Sequence, residues 1–301
     1  MSNCQKISAM KMTPSLMIDA LAEWRDNQLE SWESAKANYD ALAQCERREF
    51  AIGPLKGAFQ YNPHRKVSTG AKIDSASIGK RPCFLCECNR PSEQIAEEII
   101  DGWEFLVNPF PIFPLHFTLA SKTHKPQESI PLEMASLAEK LPGMVVFYNG
   151  AKAGASAPDH LHCQAVMKSE LPLMVYLEEG GDPAALPFKV RYSVITPDMQ
   201  GMIDLNTLVA VTGTDTEGNS DRELVNAYCW IGIDGLLRMC VIPRMAHRPA
   251  CYTSDAEGEG RMISPGAIDM AGIVILPRLQ DFEGMTSEEM AEIYNQTALR
   301  Q

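Results

Sequence analysis

Polar residues occupy every second position of the segment HLHCQ, as His160, His162 and Gln164. Successive side chains of a β-strand point to opposite faces, so the alternation predicts that these three side chains share one strand face. The residues between them, Leu161 and Cys163, are apolar and would face the other way. Three polar groups on one face can be hydrogen-bonded core residues, metal ligands, or a nucleophile with its helpers.

The chemistry open to such a pair of histidines is metal binding or attack on phosphorus. A neutral imidazole can ligate a metal ion, and it can form a phosphoramidate that a second nucleophile later cleaves. A single strand histidine is more often structural, but two on one face followed by a glutamine favour a functional site. The preceding loop, NGAKAGASAPD, supports an anion site, because Gly150 and Gly154 let backbone amides approach an oxyanion closely.

Three cysteines form a second group of candidate ligands, at Cys83, Cys86 and Cys88. The chain has nine cysteines, an odd number without the spacing of a disulfide framework. In a reducing compartment, such a cluster more often indicates metal binding or packing. The Cys-x-x-Cys pair supplies only half of the ligands that a structural zinc site normally takes.

Composition narrows the class of ligand. The chain has 301 residues, of which 45% are apolar and 22% charged, with a formal net charge of −12. This length fits one large domain or two domains of about 150 residues. The acidic balance argues against a nucleic-acid groove, but it allows a small phosphorylated ligand that a few local donors hold.

A membrane partner is not expected either. No run of the sequence approaches the roughly 18 apolar residues of a membrane span. The N-terminal stretch MSNCQKISAMKM lacks the apolar core of a signal peptide, so we expect a cytoplasmic protein.

The segments around the candidate residues have the patterns of strands and helices. An apolar stripe that follows Thr13 and Pro14 predicts a long helix over residues 13–48. Strands are predicted in WEFLVNPFPIFP, LHFTLAS, MVVFYNG and HLHCQAVM, with a short helix in LEMASLAEKL. The two histidines therefore lie on the last of these strands, directly after the small-residue loop.

The composition changes after about residue 180, where GGDPAALP is typical of a linker. Beyond it the sequence predicts a strand in FKVRYSVIT, a helix in LNTLVAVTG and a hairpin in AYCWIGIDGLLRMCVIPR. Asp234 and Gly235 suit a type I′ turn in that hairpin. A further strand, AGIVILPR, precedes a C-terminal helix that Thr286 and Glu289 would cap. The second half thus loosely repeats the strand-and-helix order of the first.

Three segments carry a family resemblance. FYNGAKAGASAPDHLHCQ resembles the active-site segment of the galactose-1-phosphate uridylyltransferases, members of the histidine-triad superfamily that carry Asn, a small-residue loop and His-x-His-x-Gln. NPFPIFPLHFTLASKTH resembles the wider superfamily's segment of Asn, prolines, His, an apolar strand and Lys-x-His. NPHRKVSTGA resembles the phosphate-contacting Pro-His-Arg stretch of the uridylyltransferases. The resemblance spans roughly residues 55–170.

The branch of the superfamily is indicated by two features. The C-terminal sugar-binding pattern of the uridylyltransferases is not recognisable, and the overall pattern is more similar to GDP-L-galactose phosphorylases and diadenosine tetraphosphate phosphorylases. The triad hydrolases carry a third histidine where this chain has Gln164. The glutamine therefore indicates the transferase and phosphorylase branch.

The resemblance implies roles for individual residues. His162 would be the nucleophile that takes the nucleoside monophosphate, and Gln164 would hydrogen-bond the transferred phosphate. The implied substrate-binding residues are Arg65, which would neutralise phosphate charge, Asn108 near the nucleoside, and Asn149 and Ser156 at phosphate.

The resemblance also implies a structural zinc site. Relatives that bind zinc use a Cys pair, a His after the apolar strand, and the first His of His-x-His. The matching residues are Cys83, Cys86, His124 and His160. Such a closed site would fix the strand that carries the nucleophile. Cys88 and His116 are rival ligands, and some relatives have lost the metal.

For the whole chain, the resemblance implies an α+β fold of two histidine-triad-like halves, residues 1–180 and residues 181–301. Each half would be an antiparallel sheet with flanking helices. The first would carry the catalytic strand, and the second would complete the pocket. The protein would be a monomer with an internal pseudo-dimer, or a homodimer.

The implied reaction is a ping-pong nucleotidyl transfer through a covalent nucleotidyl-His162 intermediate. The substrates would be a nucleoside-diphosphate sugar and then phosphate or a sugar phosphate. Alternatives are a dinucleoside polyphosphate phosphorylase, a nucleotidyl hydrolase and, in another class, a non-catalytic nucleotide- or zinc-binding regulator. Arg244, Arg248 and Arg278 could reach phosphates and His247 could assist, but the sequence does not identify the base, the sugar or the acceptor.

Overall fold

A computed structural model describes residues 14–65, 81–196, 222–255 and 257–301 of the chain. The strands of this part are, in chain order, β1 (Glu46–Ile52), β2 (Leu55–Tyr61), β3 (Glu97–Ile100), β4 (Trp103–Val107), β5 (His116–Ser121), β6 (Met144–Asn149), β7 (His162–Met167), β8 (Arg191–Ile195), β9 (Val225–Ile231), β10 (Leu237–Pro243) and β11 (Ile273–Leu276). The α-helices are α1 (Pro14–Leu29), α2 (Glu33–Asp40), α3 (Met134–Glu139), α4 (Pro172–Glu178), α5 (Ala267–Met270), α6 (Leu279–Gly284) and α7 (Ser287–Thr297).

Within these ranges the strands form two sheets. The larger has eight strands in the order β3-β4-β5-β7-β6-β9-β10-β8, and the smaller has three in the order β1-β2-β11. All ladders are antiparallel except that between β11 and β2. The α+β class with antiparallel sheets and flanking helices is therefore confirmed.

The large sheet is continuous across the expected boundary at residue 180. Strand β6, which precedes the boundary, pairs with β9, which follows it, and the register places Val146 opposite Cys229. The small sheet crosses the same boundary, because β11 adds to the hairpin of β1 and β2. Both sheets thus combine strands from the two parts of the sequence.

Both faces of the large sheet are covered. One face carries Val145, Phe147 and Val166 against the small sheet and helices α4, α5 and α7. The opposite face carries Val146 and Cys163 against α1, α2 and α3. Strand β6 is buried along its whole length, which explains why its sequence is apolar without alternation. Side chains two positions apart from Val166 on β7 share its face, so that face also carries Gln164 and His162.

The prediction of one helix over residues 13–48 is wrong. Helix α1 ends at Leu29, Trp32 is buried at the break, and α2 ends at Asp40. A short 3₁₀ turn follows over Ala41–Gln44, and the chain then enters β1. The apolar stripe itself stops at Leu42, and pairing with β2 determines the conformation of the segment beyond it.

The hairpin of β9 and β10 forms as expected, but its turn is not of type I′. That type needs a positive φ at both central residues, and Gly235, at +80°, is the residue of the loop that has one. The amide of Gly235 donates to the carbonyl of Gly232 at 3.0 Å, and the amide of Gly232 donates to the carbonyl of Leu236 at 2.9 Å. This is the three-residue loop with a glycine bulge, which lets Asp234 keep a negative φ and receive Arg238.

The helix predicted in LNTLVAVTG lies outside the described residues, as does most of the segment NPHRKVSTGA. In the part of the chain that is described, no helix has the length and apolar character needed to cross a membrane.

Candidate active site

Strand β7 begins at His162, so His160 lies just before the strand rather than within it. His162 and Gln164 share a strand face as predicted, whereas the ring of His160 turns towards Cys83 and Cys86. The expected row of three polar side chains is therefore divided. One histidine faces a cysteine cluster, and the other lies beside the glutamine.

The ring of His162 is held in one orientation by a backbone carbonyl. Its Nδ1 lies 2.8 Å from the carbonyl oxygen of His160, and a carbonyl only accepts, so Nδ1 carries the proton. The lone pair of the neutral ring is then on Nε2. His162 is buried, and burial lowers its pKa to about 4, so the ring is neutral near pH 7. A fixed, neutral imidazole with its lone pair on Nε2 has the form that nucleophilic attack requires.

Gln127 supports the backbone of this histidine. Its Oε1 accepts from the amide of His162 at 2.9 Å. Its Nε2 donates to the carbonyls of His162 at 3.1 Å and Asn149 at 2.6 Å. Sequence reasoning missed Gln127, because a glutamine in a loop after a strand carries no signal of its own.

Gln164 receives a hydrogen bond from His116 on the neighbouring strand. The Nε2 of His116 lies 2.7 Å from Oε1 of Gln164, and the amide of Ile112 donates to Nδ1 of the same ring at 3.1 Å. Because Nδ1 accepts, Nε2 must carry the proton and donate to the glutamine oxygen. The amide group of Gln164 thus keeps its Nε2 hydrogens for another partner. Burial, with Arg65 nearby, lowers the pKa of His116 to about 3, which keeps the ring neutral.

Asn108 lies beside this pair. Its Nδ2 is 3.3 Å from Oγ1 of Thr118 and 3.5 Å from Oε1 of Gln164, while its Oδ1 accepts from the amide of Phe110 at 2.9 Å. The structure therefore brings Asn108 together with Gln164 and His116. The expected neighbour of the nucleoside lies at the edge of the polar group that surrounds the glutamine.

Arg65 ends the short 3₁₀ turn Pro63–Arg65 that follows β2. Its Nη1 donates to the carbonyl of Phe110 at 2.8 Å. Burial lowers the pKa of Arg65 to about 10, and the carboxylate of Asp269 acts in the opposite direction. The guanidinium also lowers the pKa of His116, so its charge lies close to the Gln164 pair.

Asn149, at the end of β6, joins this strand to the C-terminal part of the chain. Its Oδ1 accepts from the amide of Ala267 at 2.7 Å and from Nδ2 of Asn226 at 3.0 Å. Both lone pairs of this oxygen thus accept hydrogen bonds within the chain, so the Nδ2 group is the part of the side chain that could bind a ligand, as a donor. Ser156 is exposed, and its carbonyl accepts from Arg81 at 3.4 Å. The structure does not bring the Ser156 side chain into contact with the other expected residues.

The glycines of the small-residue loop have a packing role. Gly154 has a φ of +102°, and a Cβ there would lie 2.7 Å from Cα of Gly266 and 3.2 Å from Oδ1 of Asn149. A Cβ on Gly150 would overlap the carbonyl of Glu223. Close contact with the C-terminal part of the chain therefore explains these glycines.

Four residues form a cluster that could hold a metal ion, namely Cys83, Cys86, His124 and His160. Their donor atoms all lie within 4.8 Å of one another. Nδ1 of His160 is 3.3 Å from Sγ of Cys83, and Nδ1 of His124 is 3.2 Å from Sγ of Cys86. These separations match the edges of a tetrahedron around an ion bonded at about 2.0 to 2.3 Å, as in Cys2His2 zinc sites.

The orientation of His160 also fits metal binding. Its Nε2 is 2.7 Å from the carbonyl of Ser121, which directs the Nδ1 lone pair to the cysteines. The rival ligands are placed elsewhere: Cys88 is exposed outside the cluster, and His116 contacts Gln164. His160 thus contributes its ring to the cluster and its carbonyl to His162.

Two of the C-terminal arginines hold the fold. Arg244 donates to the carbonyls of Thr297, Pro265 and Ala246 and to Oδ1 of Asn226. Arg278 donates hydrogen bonds to the carboxylate of Asp281 and to the carbonyls of Asp255, Gly258 and Gly260. Both side chains are buried and donate to acceptors of the chain itself, which gives them a role in the fold.

Comparisons with known proteins establish the fold. A family model described as "Domain of unknown function (DUF4922)" matches residues 24–167. No curated protein sequence matches the chain. Three crystal structures of yeast Ap4A phosphorylase Apa2 are similar: one with a TM-score of 0.55 at 16% identity, one in complex with AMP at 0.52 and 15%, and one in complex with Ap4A at 0.52 and 17%. Each match covers 89% of this chain and 97% of the other.

Proposed function

We propose that the chain is a nucleotidyl-transferring enzyme that cleaves a dinucleoside polyphosphate by phosphorolysis. The observation that carries the proposal is the state of His162. Its ring is neutral, its Nδ1–H is bonded to a carbonyl, and its side chain shares a strand face with Gln164. The fold likeness supports it, because the similar structures are of a phosphorylase and include complexes with AMP and Ap4A. The nucleotide sugar expected from the sequence becomes the second substrate class to be tested.

The proposed reaction has two steps. In the first, the Nε2 lone pair of His162 attacks the α-phosphorus, and the bond from phosphorus to the bridging oxygen breaks. The departing nucleoside polyphosphate takes the electron pair, and a nucleotidyl-histidine remains. In the second, an oxygen of inorganic phosphate attacks the same phosphorus, the N–P bond breaks, and nucleoside diphosphate leaves with His162 restored.

The neighbouring side chains are proposed to stabilise the charge that develops on the phosphoryl oxygens. Gln164 would donate through Nε2, because His116 occupies its oxygen. Arg65 would contribute a guanidinium charge and Asn149 its Nδ2 group. We further propose Asn108 near the nucleoside, and the exposed Ser156 at a phosphate once substrate is bound.

The metal cluster is proposed as a structural zinc site. Zinc would hold Cys83, Cys86, His124 and His160 together, as their separations and the chemistry of the donors suggest. The residues of the cluster would then act by positioning His162. The carbonyl of His160, fixed on one side by its ring, would keep the proton of His162 on Nδ1.

The domain division is proposed to follow the expected boundary, with histidine-triad-like halves at residues 1–180 and 181–301. The β6–β9 ladder supports this division, because a strand from each half pairs edge to edge. The hydrogen bonds from Asn226 and Ala267 to Asn149 support a second half that completes the site. A monomer with an internal pseudo-dimer is the arrangement we propose.

The test is a search for the covalent intermediate. The full chain is mixed with dinucleoside polyphosphates or nucleotide sugars, without phosphate, and its intact mass is measured. We expect a nucleoside monophosphate adduct with one substrate class, and no adduct in His162→Asn. The adduct should be acid-labile, as a phosphoramidate is. Added phosphate should release nucleoside diphosphate, whereas release of nucleoside monophosphate by water would indicate a hydrolase.

The same experiment can reject the proposal. The absence of both adduct and turnover across the panel would leave the non-catalytic nucleotide- or zinc-binding regulator as the better account. A melting curve of His162→Asn like that of the wild type is the control that the variant is folded.

A further inference from the structure

A second polar cluster lies outside the site described so far and consists of His247, Arg248 and Ser264. Oγ of Ser264 is 2.8 Å from Nε2 of His247, and Nε of Arg248 donates to the same oxygen at 3.2 Å. Arg248 can only donate, so the hydroxyl accepts from it. The direction of the hydrogen bond between the hydroxyl and Nε2 of His247 depends on the tautomer of the ring, and in either tautomer the neutral imidazole carries one N–H. The cluster thus combines a guanidinium, a hydroxyl and a ring N–H.

The electrostatic surroundings of His247 are positive. Burial and the charges of Arg248 and Arg244 lower the pKa of His247 to about 3. Among the described residues, no carboxylate raises this pKa in return. Asp269, the acid that acts on Arg244, uses its two oxygens on the amides of Gly266 and Ile275. A site of positive charge with several donors favours an anion.

The position of the Arg248 guanidinium is also constrained. Its Cζ lies over the Tyr252 ring, 4.0 Å from the ring centre, as in a cation–π contact. A guanidinium has five N–H donors in a fork whose geometry matches the oxygens of a phosphate. A constrained donor loses less freedom when a ligand binds.

The cluster adjoins the proposed active site. Ser264 is followed by Pro265, and Gly266 and Ala267 then pack on Asn149 and on the glycine loop that leads to His162. The amide of Ala267 donates to Asn149 at 2.7 Å, and the carbonyl of Pro265 accepts from Arg244. Ala267 and β6 share the core on the face of the large sheet that carries His162.

We propose that His247, Arg248 and Ser264 form a second phosphate-binding subsite. It would hold a phosphate group other than the one that His162 attacks. This inference rests on the proposed function for its role, but the binding it requires can be measured without turnover. The ligand chemistry is a phosphate oxyanion, which either the distal phosphates of a polyphosphate chain or the attacking inorganic phosphate would supply.

The test uses inorganic tripolyphosphate as the probe and titration calorimetry of the full chain. We expect Arg248→Gln to weaken binding by about tenfold to a hundredfold and Ser264→Ala by about fivefold, since a hydrogen bond to a charged group contributes more than a neutral one. Lys36→Gln, which removes one exposed positive charge from α2, is the matched control and should change affinity by less than about twofold. Equal affinities in wild type, Arg248→Gln and Ser264→Ala would overturn the subsite.

A spectroscopic readout separates binding at the cluster from binding elsewhere. The chain has only six histidines, so the imidazole resonances of His247 can be assigned by comparison with His247→Gln. Tripolyphosphate should move them in the wild type, and Arg248→Gln should abolish the movement at the same ligand concentration. Resonances that stay unmoved at saturation would contradict the proposal, whether or not the variants fold less stably.

Two further comparisons separate the sources of phosphate and the two proposals. A raised KM for the dinucleotide with an unchanged KM for phosphate in Arg248→Gln would assign the distal phosphates, and the reverse would assign the attacking phosphate. His162→Asn should bind tripolyphosphate as the wild type does. Tripolyphosphate binding that depends on Arg248, in a wild type that forms no adduct, would retain the subsite while rejecting the proposed function.

Discussion

At the scale of single residues, the site is defined by which atom of each ring or amide carries the proton. His162 and His116 are both neutral, but a carbonyl accepts from Nδ1 of the first and a backbone amide donates to Nδ1 of the second. The first therefore offers a lone pair at Nε2, and the second offers a proton. One backbone contact to each ring thus makes Nε2 an acceptor in His162 and a donor in His116, although the two histidines are similarly buried.

The role of His116 can be tested through the orientation of Gln164. His116→Phe removes the donor, so the glutamine amide loses its fixed orientation and its oxygen can turn towards the phosphate. We expect kcat/KM to fall by about tenfold to a hundredfold, the effect of one hydrogen bond to a charged group. His116→Gln keeps a donor near the same place and should recover most of the loss.

The comparison of these two variants distinguishes positioning from stability. Both are measured for kcat, KM and melting temperature, and the loss in His116→Phe should fall mainly on kcat. Equal activity of the Phe and Gln variants would show that the orientation of Gln164 does not depend on His116.

The sequence predicted the polar residues better than the contacts among them. Alternation is a local property of a strand, so the common face of His162 and Gln164 followed from spacing. The sequence offered His116 as a rival metal ligand, because the residue type alone does not reveal that its ring contacts Gln164. Its contact with Gln164 comes from the register of β5 on β7, which places Thr118 opposite Gln164. Gln127 likewise supports the backbone of His162 through contacts between segments that are distant in the sequence, which no local pattern predicts.

At the scale of elements, the metal cluster links a loop, a strand end and the segment before β7. Cys83→Ser should remove the bound zinc, because three ligands hold the ion less well than four. The wild type should contain about one zinc per chain by elemental analysis. Cys88→Ser is the matched control, since Cys88 is exposed outside the cluster, and it should retain the metal.

Activity should follow the metal content in these two variants. Loss of the ion frees His160, and its carbonyl then holds the Nδ1 proton of His162 less firmly. The same zinc content in Cys83→Ser and wild type would contradict the ligand set.

Element boundaries were predicted where a local pattern decides them. Thr286 caps α7 by accepting from the amide of Glu289, as the spacing indicated. The end of the first helix was not predicted, because pairing with β2 draws the next segment into a strand. The turn at Asp234 has a favourable sequence for type I′, but its loop is one residue longer than that type needs.

At the scale of the whole molecule, neutral histidines in the interior make the fold sensitive to acid. Burial lowers the pKa of His116, His162 and His247 to about 3, 4 and 3. In the unfolded chain these rings titrate near about 6.5. Below that pH the unfolded state binds more protons than the folded state, so the free energy of unfolding decreases as the pH decreases. The slope approaches about 1.4 kcal/mol per pH unit for each ring once the pH is well below about 6.5.

One carboxyl works in the opposite direction. Burial raises the pKa of Asp269 to about 6, so between roughly pH 4 and pH 6 the folded state binds its proton more tightly. We therefore expect a net loss of stability from about pH 6.5 downwards, because three rings outweigh one carboxyl. The free energy of unfolding is measured with urea at about pH 7 and about pH 5.5. The loss between the two pH values should be smaller in His116→Gln than in the wild type, by roughly 1.2 kcal/mol in total. Parallel losses in both proteins would contradict the assignment.

The pairing of strands across residue 180 was not predicted. The family resemblance implied an α+β protein, and the change of composition predicted a boundary near residue 180. Neither feature reveals that β6 and β9 are the strands that meet, because a register between distant strands depends on the packing of both faces. The bonds from Asn226 and Ala267 to Asn149 follow from that meeting.

The β6–β9 ladder has a consequence for synthesis on the ribosome. Asn226 lies 77 residues after Asn149, so at about 5 to 20 residues per second β6 waits roughly 4 to 15 s for its partner strand. During that interval an apolar strand edge is open to other chains. The nascent chain therefore exposes an apolar strand edge beside β7, the strand that begins with His162, until β9 pairs with β6.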